Sequence, residues 1–154
     1  MQKTEQTNFT PFDASSWRIG IVVAQFNAEI TESLYKSALT RAVDYKLAPA
    51  SIETVRVAGA VEIPLALQKM AKTKRFNALL AIGCVIQGDT PHFEYVCKFV
   101  TEGVLRVQLD NDMPIGFGVL TCATLSQAQD RTYNGANHLD AVLQLAKTLG
   151  KYCK

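Results

Sequence analysis

The sequence predicts a single-domain α/β fold built on a parallel sheet. Four short apolar runs have the length of strands, and a segment with apolar residues at helical spacing follows each of them. Strands that alternate with helices are typical of a parallel sheet with right-handed crossovers. The chain has 154 residues, which is enough for one domain with a full core and leaves little room for a second.

The elements can be placed in order along the chain. Residues 1–16 are polar and lack periodicity, which predicts an N-terminal arm ahead of a domain that spans 17–154. The strands are predicted at residues 17–24, 52–57, 78–86 and 115–120. The helices are predicted at residues 28–47, 62–75, 91–107 and 125–133, and from residue 137 onward. This order predicts a flavodoxin-like fold of three layers, in which helices flank both faces of a four-stranded parallel sheet.

Composition argues against several classes of function. A formal charge of +2 is too small to indicate a nucleic-acid partner or an acidic membrane surface. Every apolar segment is shorter than a membrane span, and the polar N-terminus is not typical of a signal peptide, so we expect a cytoplasmic protein. The four cysteines form no C-x-x-C pair and no pattern with histidine, so we expect no metal site.

The unusual residue clusters all lie at the carboxyl ends of predicted strands. They are Phe26 with Asn27, and the stretches 59–62, 84–92 and 117–124. Ligands bind beyond the carboxyl ends of the strands in parallel α/β sheets, so the sequence predicts a ligand site at this edge. Phe26 lies just past a strand end, an unusual place for a core aromatic residue. Asn27 is expected to cap the following helix.

The stretch 83–96 is the most informative of these clusters. It runs from the third strand through a tight, glycine-containing turn into a helix. Asp89 or Thr90 can cap that helix, and Pro91 suits its first position. Such a turn presents backbone N–H groups at the positive end of the helix dipole, which favours an anion. Because His92 in the first turn can act as a general base, we expect a phosphate site beside a proton-transfer residue.

Four motifs together resemble the lumazine synthase family. They come in that family's order and cover nearly the whole chain from residue 19. The motifs are AQFNAEIT at 24–31, VAGAVEIPLA at 57–66, GCVIQGDTPHFEYV at 83–96, and GFGVLT with QAQDR within 116–131. The resemblance implies condensation of 5-amino-6-(D-ribitylamino)uracil with 3,4-dihydroxy-2-butanone 4-phosphate. The products are 6,7-dimethyl-8-ribityllumazine, phosphate and water, and the reaction, the penultimate step of riboflavin biosynthesis, needs no metal and no organic cofactor.

The resemblance also implies roles for individual residues. Phe26 is expected to stack on the pyrimidine, Glu62 to bind the ribityl chain and His92 to transfer protons. Phe117 is expected to reach the site from a neighbouring subunit, and Arg131 to hold the phosphate through its planar guanidinium. The other matching residues are Ala60, Val61, Cys84, Val85 and Ile86 for the pyrimidine and ribityl chain, and Asp89 and Thr90 for the phosphate-binding turn.

Three of these assignments depend on the motifs. Judged alone, Glu62 fits a helix-stabilising acid equally well, because acids are favourable in the first turn of a helix. A lone His92 would more often be structural, and a lone Arg131 would more often be a solvated cation at a helix end. The positions of all three within the motifs favour the functional roles.

The chain departs from the family's pattern at three places. Gln87 stands where most members carry arginine, which lowers the positive charge beside the expected phosphate. Val61 replaces the usual aromatic residue of the second motif. After Arg131 the loop is slightly shorter and the usual lysine is absent, with Asn137 or His138 in its region. These changes bear on how the phosphate is held and how subunits assemble.

The resemblance implies partners as well as small-molecule substrates. They are other copies of the chain, in a homopentamer or larger assembly with sites between subunits, and riboflavin synthase as a neighbour in the pathway. Two alternatives to the enzyme remain open. A non-catalytic flavin- or lumazine-binding homologue would keep the fold without requiring His92. A nucleotide-binding domain of flavodoxin type would carry G-x-G-x-x-G after the first strand, where this chain has QFNAEI.

Overall fold

A four-stranded sheet forms the centre of the molecule. The structure, a computed structural model, describes residues 8–153. All pairs of neighbouring strands are parallel. The strands are β1 (Ile19–Ala24), β2 (Ile52–Val57), β3 (Ala78–Ile86) and β4 (Ile115–Cys122), in the spatial order β2-β1-β3-β4. The predicted α/β class and four-stranded parallel sheet are confirmed.

Helices cover both faces of this sheet. They are α1 (Ala28–Asp44), α2 (Ile63–Lys72), α3 (His92–Asn111), α4 (Leu125–Gln129) and α5 (Asn134–Leu149). Helices α1, α4 and α5 contribute to the apolar core on one face, and α2 and α3 contribute to the core on the other. This is the three-layer, flavodoxin-like arrangement that the sequence predicts.

The two central strands, β1 and β3, are buried on both faces. All six residues of β1 are buried, as are the first seven residues of β3. A strand between two layers of helices places apolar side chains on both sides, which accounts for its near-continuous apolar sequence. Burial decreases at Val85 and Ile86, where β3 reaches the carboxyl edge of the sheet.

Several predicted boundaries of the elements are wrong. β1 begins at Ile19 rather than at residue 17, and β4 continues to Cys122 rather than ending at residue 120. The helix predicted at 125–133 ends at Gln129. The last helix begins at Asn134, so Asn134 and Gly135 lie inside a helix although the sequence predicts a break there. The other helix ends also differ, since α1 and α2 stop at 44 and 72 and α3 continues to 111.

Gly135 belongs in α5 because the backbone of α1 passes directly beside it. A Cβ atom at this position would overlap the carbonyl oxygen of Leu34, and it would also lie 3.2 Å from the backbone nitrogen of Ala38. Glycine normally weakens a helix by about 1 kcal/mol relative to alanine. The close packing of α1 against α5 therefore outweighs the local helix propensity at this position.

A buried ionic cluster joins the same two helices. Asp140 Oδ1 accepts hydrogen bonds from Arg41 Nε at 2.7 Å and from the Tyr45 hydroxyl at 2.6 Å. Arg41 Nη2 also donates to the carbonyl of Phe9 at 3.1 Å, which fastens the N-terminal segment to α1. Within the predicted arm, Ala14 is fully buried. Residues 1–7 of that arm lie outside the described part of the chain.

The buried hydroxyl of Tyr45 makes the stability of the fold depend on pH in the alkaline range. Burial, followed by the hydrogen bond to Asp140, raises the pKa of Tyr45 from 10.0 to about 12. The unfolded chain therefore releases this proton first as the pH rises, and stability is lost as the pH rises from 10 to 12. Between pH 10 and 12, we expect the free energy of unfolding of the native chain to fall by about 2 kcal/mol more than that of Tyr45→Phe. The difference follows from the higher pKa of Tyr45 in the folded state than in the unfolded state. Denaturant titrations at several pH values measure this, and parallel curves for the two proteins would contradict it.

Candidate active site

An open cleft lies at the carboxyl ends of β1, β2 and β3. Its volume is about 410 Å³, within the range of small-molecule sites. Eight of the predicted site residues line it, namely Phe26, Ala60, Val61, Glu62, Cys84, Val85, Ile86 and His92. Asn27, Gly59 and Val96 complete the lining. Val96 was absent from the sequence-based set, although its position one helical turn after His92 could have indicated it.

The turn between β1 and α1 ties three strand ends together. Gln25 N donates to the carbonyl of Val57 at 2.8 Å, and Phe26 N donates to the carbonyl of Ala58 at 2.9 Å. On the other side, Asn27 Nδ2 donates to the carbonyl of Cys84 at 2.8 Å. The turn therefore holds the end of β1 against the segment after β2 and against β3.

The expected capping role of Asn27 is wrong. Asn27 occupies the N-cap position of α1, but its side chain makes no capping hydrogen bond. Its backbone is left-handed, with φ 58° and ψ 47°, a conformation that asparagine tolerates better than most residues. The side chain instead crosses to Cys84 in β3, as described above. Asn27 therefore contributes to the shape of the cleft.

Phe26 projects into the cleft and is 69% exposed. This exposure excludes the alternative of a core aromatic residue. An exposed aromatic face at the mouth of a cleft offers a stacking surface for a planar ring. The backbone of Phe26 is fixed by its bond to Ala58, so the ring extends from a well-held point of the chain.

A short turn after β2 presents Glu62 to the cleft. Ala60–Glu62 form a single 3-10 turn that leads directly into α2. The Glu62 carboxylate accepts a hydrogen bond from Gly59 N at 2.9 Å, which closes this turn on itself. Pro64 follows within the first turn of α2, where its missing N–H leaves no hydrogen bond unmade. Glu62 thus has both a structural partner and a place in the cleft.

The end of β3 supplies mainly backbone to the cleft. Cys84 is buried, while Val85 and Ile86 are half-buried. Burial is the main cause that raises the pKa of the Cys84 thiol to about 11, with a further contribution from Cys122. A thiol with this pKa is protonated near neutral pH and is a poor nucleophile. Cys84 therefore fits a role through its backbone rather than through its sulfur.

His92 is the first residue of α3 and is exposed along the cleft. Pro91 occupies the cap position before it, rather than the first helical position expected from the sequence. No side chain caps the helix at Pro91. The Thr90 hydroxyl accepts a weak hydrogen bond from His92 N at 3.4 Å. Asp89 and Thr90 are exposed in the turn that leads to His92 and do not line the cleft.

Besides Asp89 and Thr90, two further predicted site residues lie apart from this cleft. Phe117 is the third residue of β4, opposite Ala81, so it lies within the strand rather than at the strand end expected from the sequence. Arg131 follows α4, and its Nη1 donates to the carbonyl of Gln127 at 2.7 Å. Burial raises the pKa of the Cys122 thiol, and the nearby charge of Arg131 partly opposes that rise.

The lining of the cleft is weakly charged. No lysine or arginine lines it in the part of the chain that the structure describes, and Glu62 is its one carboxylate. Among residues 8–153, no group of three or more histidine, cysteine, aspartate or glutamate side chains is placed to hold a metal ion. The described helices include none that is long and apolar enough to cross a membrane.

Comparisons with known proteins agree on one family. Residues 16–150 match the family model of 6,7-dimethyl-8-ribityllumazine synthase. A protein of that name from Thermobifida fusca is 48% identical over 119 residues, which cover 77% of this chain and 68% of the relative. Another from Lactiplantibacillus plantarum is 45% identical over 134 residues, 86% of this chain and 84% of the relative. A third from Corynebacterium efficiens is 40% identical over 158 residues, 98% and 96% of the two chains.

The match to the family model spans the strand ends that build the cleft, from the turn after β1 to the start of α3. The family model covers all four strands and all five helices of the described structure. The chain belongs to the 6,7-dimethyl-8-ribityllumazine synthase family.

Proposed function

We propose that this protein condenses 5-amino-6-(D-ribitylamino)uracil with 3,4-dihydroxy-2-butanone 4-phosphate. The products are 6,7-dimethyl-8-ribityllumazine, phosphate and water. The observation that carries the proposal is the convergence of Phe26, Glu62 and His92 on one cleft, each from a different strand end. Membership of the synthase family, established above, supports the same reaction.

The reaction proceeds by attack of the pyrimidine amine on the ketone carbonyl. The nitrogen–carbon bond forms and water leaves to give an imine, after which a proton is removed and phosphate is eliminated. The second amine then attacks the ketone that this elimination leaves, a second water departs and the ring closes. Each step moves protons between nitrogen, carbon and oxygen, and His92, exposed along the cleft, is the residue that we assign to this transfer. Holding two substrates together supplies much of the remaining acceleration.

We assign the pyrimidine to the face of Phe26 and to the backbone of 84–86. The amides and carbonyls at a sheet edge match the donors and acceptors of a uracil ring. Glu62 suits the ribityl chain because a carboxylate accepts hydrogen bonds from several hydroxyl groups. Ala60 and Val61 line the cleft next to Glu62, and we assign them to contacts with the pyrimidine and the ribityl chain.

The phosphate belongs at the start of α3. This helix has 20 residues, and its positive end faces the turn that contains Asp89 and Thr90. Asp89 contributes its backbone N–H rather than its charge, which would repel the phosphate. Gln87 adds no positive charge, and no lysine or arginine lines the described part of the cleft. We therefore assign the cationic contact to Arg131, which stands outside the cleft of its own chain.

The protein assembles as a homopentamer in which neighbouring subunits complete each site. Phe117 and Arg131 lie outside the cleft, which is consistent with supply from a neighbour. Helix α3 also exposes large apolar side chains that an isolated subunit would leave in water. Tyr95 is 71% exposed, Phe99 is 55% exposed and Leu109 is 65% exposed. Burial of such side chains between subunits is favourable by about 25 cal/mol per Å².

The proposed reaction also implies a partner in the pathway. Its product, 6,7-dimethyl-8-ribityllumazine, is the substrate of riboflavin synthase.

Shared sites predict that two inactive variants complement each other. We expect Phe117→Ala and His92→Ala subunits to regain activity when they are refolded together, because some interfaces then pair an intact Phe117 with an intact His92. The readout is specific activity of the mixture against that of each variant alone. Glu62→Ala mixed with His92→Ala is the matched control, because both residues line the same cleft and each site keeps a defect. Equal activity of the two mixtures would show that Phe117 acts within its own chain.

The proposed reaction is tested with the two substrates and purified protein. We expect lumazine to form, followed by its absorbance, well above the uncatalysed background. Arg131→Ala should raise KM for the phosphate substrate more than for the pyrimidine, because only the former carries the charge that arginine binds. A folded native chain that gives no acceleration would overturn the proposal, and a tightly retained flavin in that case would indicate a binding protein.

A further inference from the structure

The ring of Phe26 rests directly on Gly59. A Cβ atom built on Gly59 would lie 2.8 Å from Phe26 Cδ2 and 3.4 Å from Cε2. Carbon atoms in ordinary contact are about 3.5–4.0 Å apart, so the first of these distances leaves no room for a methyl group. The edge of the ring therefore occupies the space that any side chain at position 59 would need.

Backbone conformation is not the reason for glycine at this position. Gly59 has φ −150° and ψ −172°, an extended conformation that alanine adopts freely. Its N–H donates to the Glu62 carboxylate, and an alanine would keep that bond. The carboxylate oxygen would lie 3.4 Å from the added Cβ, which is ordinary contact. Of the contacts described, only the close approach of the Phe26 ring favours glycine over alanine at position 59.

We propose that Gly59 is a positioning residue that sets the depth and tilt of the Phe26 ring in the cleft. The inference rests on the proposed function, in which that ring carries the pyrimidine. Gly59 acts only through Phe26 and need not touch the substrate. The main chain of Phe26 is fixed by Ala58, so a change beneath the ring alters the ring alone.

An alanine at position 59 should move the ring rather than disrupt the fold. Phe26 is 69% exposed, so its ring can swing toward solvent with little loss of buried contact. A shift of roughly 0.7 Å restores normal carbon contacts. The ring is proposed to stack on the pyrimidine before and during the reaction, so a misplaced ring weakens ground-state and transition-state binding alike, which raises KM and leaves kcat nearly unchanged. The effect therefore falls on the binding of the pyrimidine.

The test is a double-mutant cycle between Gly59→Ala and Phe26→Ala. In the native background, we expect Gly59→Ala to raise KM for the pyrimidine substrate about tenfold with kcat changed less than about twofold. In the Phe26→Ala background, the same substitution should change KM less than about twofold, because the ring that it displaces is gone. Calorimetric titration of the pyrimidine substrate should show the same pattern in Kd.

Gly150→Ala is the matched control. A Cβ at Gly150 meets nothing within 4 Å, and the residue lies at the end of α5, away from the cleft. Its KM should equal that of the native chain and its thermal midpoint should be equal or slightly higher, and the thermal midpoint of Gly59→Ala should change little. A tenfold effect that persists without Phe26, or no effect of Gly59→Ala on an active native enzyme, would overturn the inference. Failure of the native chain to bind or convert substrate would instead count against the proposed function.

Discussion

Replacing His92 with alanine is expected to lower kcat about a hundredfold, the lower end of what a positioned general base contributes. Affinity for the pyrimidine should change little, because Phe26, Glu62 and the backbone of β3 remain in place. The fold should be unaffected, since His92 is exposed, its imidazole forms no hydrogen bond in the described part of the chain, and alanine keeps the backbone N–H that donates to the Thr90 hydroxyl. Steady-state rates with both substrates, together with titration of the pyrimidine, separate these effects.

A second exposed substitution on the same helix provides the comparison. Lys98→Gln replaces a side chain that is 71% exposed. Its Nζ lies 3.9 Å from Glu102 Oε1, which is a long ion pair. Such surface pairs contribute little, so its kcat and stability should match those of the native chain. If His92→Ala retained native kcat, proximity alone would account for the acceleration and the proton-transfer role would be abandoned.

Gly135→Ala is expected to destabilise the fold by about 3 kcal/mol or more, as overpacking at a rigid contact does. The added Cβ would overlap the carbonyl oxygen of Leu34. The three nearest atoms all belong to the backbone of α1, so no side-chain rotation relieves the overlap, and α5 must move away from α1. That movement also strains the bond from the Ala136 amide to the Ser37 hydroxyl, which is 3.0 Å long. The loss is measured as a lower midpoint in denaturant unfolding.

Gly150→Ala again gives the baseline, because glycine to alanine within a helical conformation normally stabilises slightly where space allows. The two substitutions add the same methyl group to opposite ends of α5. A native unfolding midpoint for Gly135→Ala would mean that α1 and α5 can separate at little cost. The close approach described above would then not be required for stability.

The sequence predicts the sheet more accurately than the helix ends. β2 and β3 match their predicted bounds. β3 is buried on both faces over most of its length and has a continuous apolar sequence, whereas β2 is a half-buried edge strand of mixed sequence whose end is marked by Gly59. The sequence does not predict the start of α5 correctly, because Asn134 followed by Gly135 is typical of a helix break when only neighbouring residues are considered. Only the position of Leu34, about a hundred residues earlier in the chain, explains why glycine is needed there.

The same contrast applies to the cleft. Because ligands bind at the carboxyl ends of parallel strands, the sequence alone predicts that Phe26, Glu62 and His92 lie in one site. It did not place Phe117, because a motif that spans a strand does not reveal which of its residues lies at the end. The role of Asn27 was also missed, since an asparagine before a helix ordinarily caps it. Its bond to Cys84 links residues 57 positions apart, which local sequence patterns cannot report.

The turn after β1 also bears on how this protein tolerates mutation. Two of its three ties to neighbouring strands, from Gln25 and Phe26, use backbone atoms at both ends. Those ties survive almost any side-chain replacement, so residues that line the cleft can change without loss of the backbone hydrogen bonds that hold the turn. The third tie depends on the amide of Asn27. Mutational robustness is therefore uneven around one turn, and a library randomised there should retain asparagine at position 27 far more strictly than glutamine at position 25.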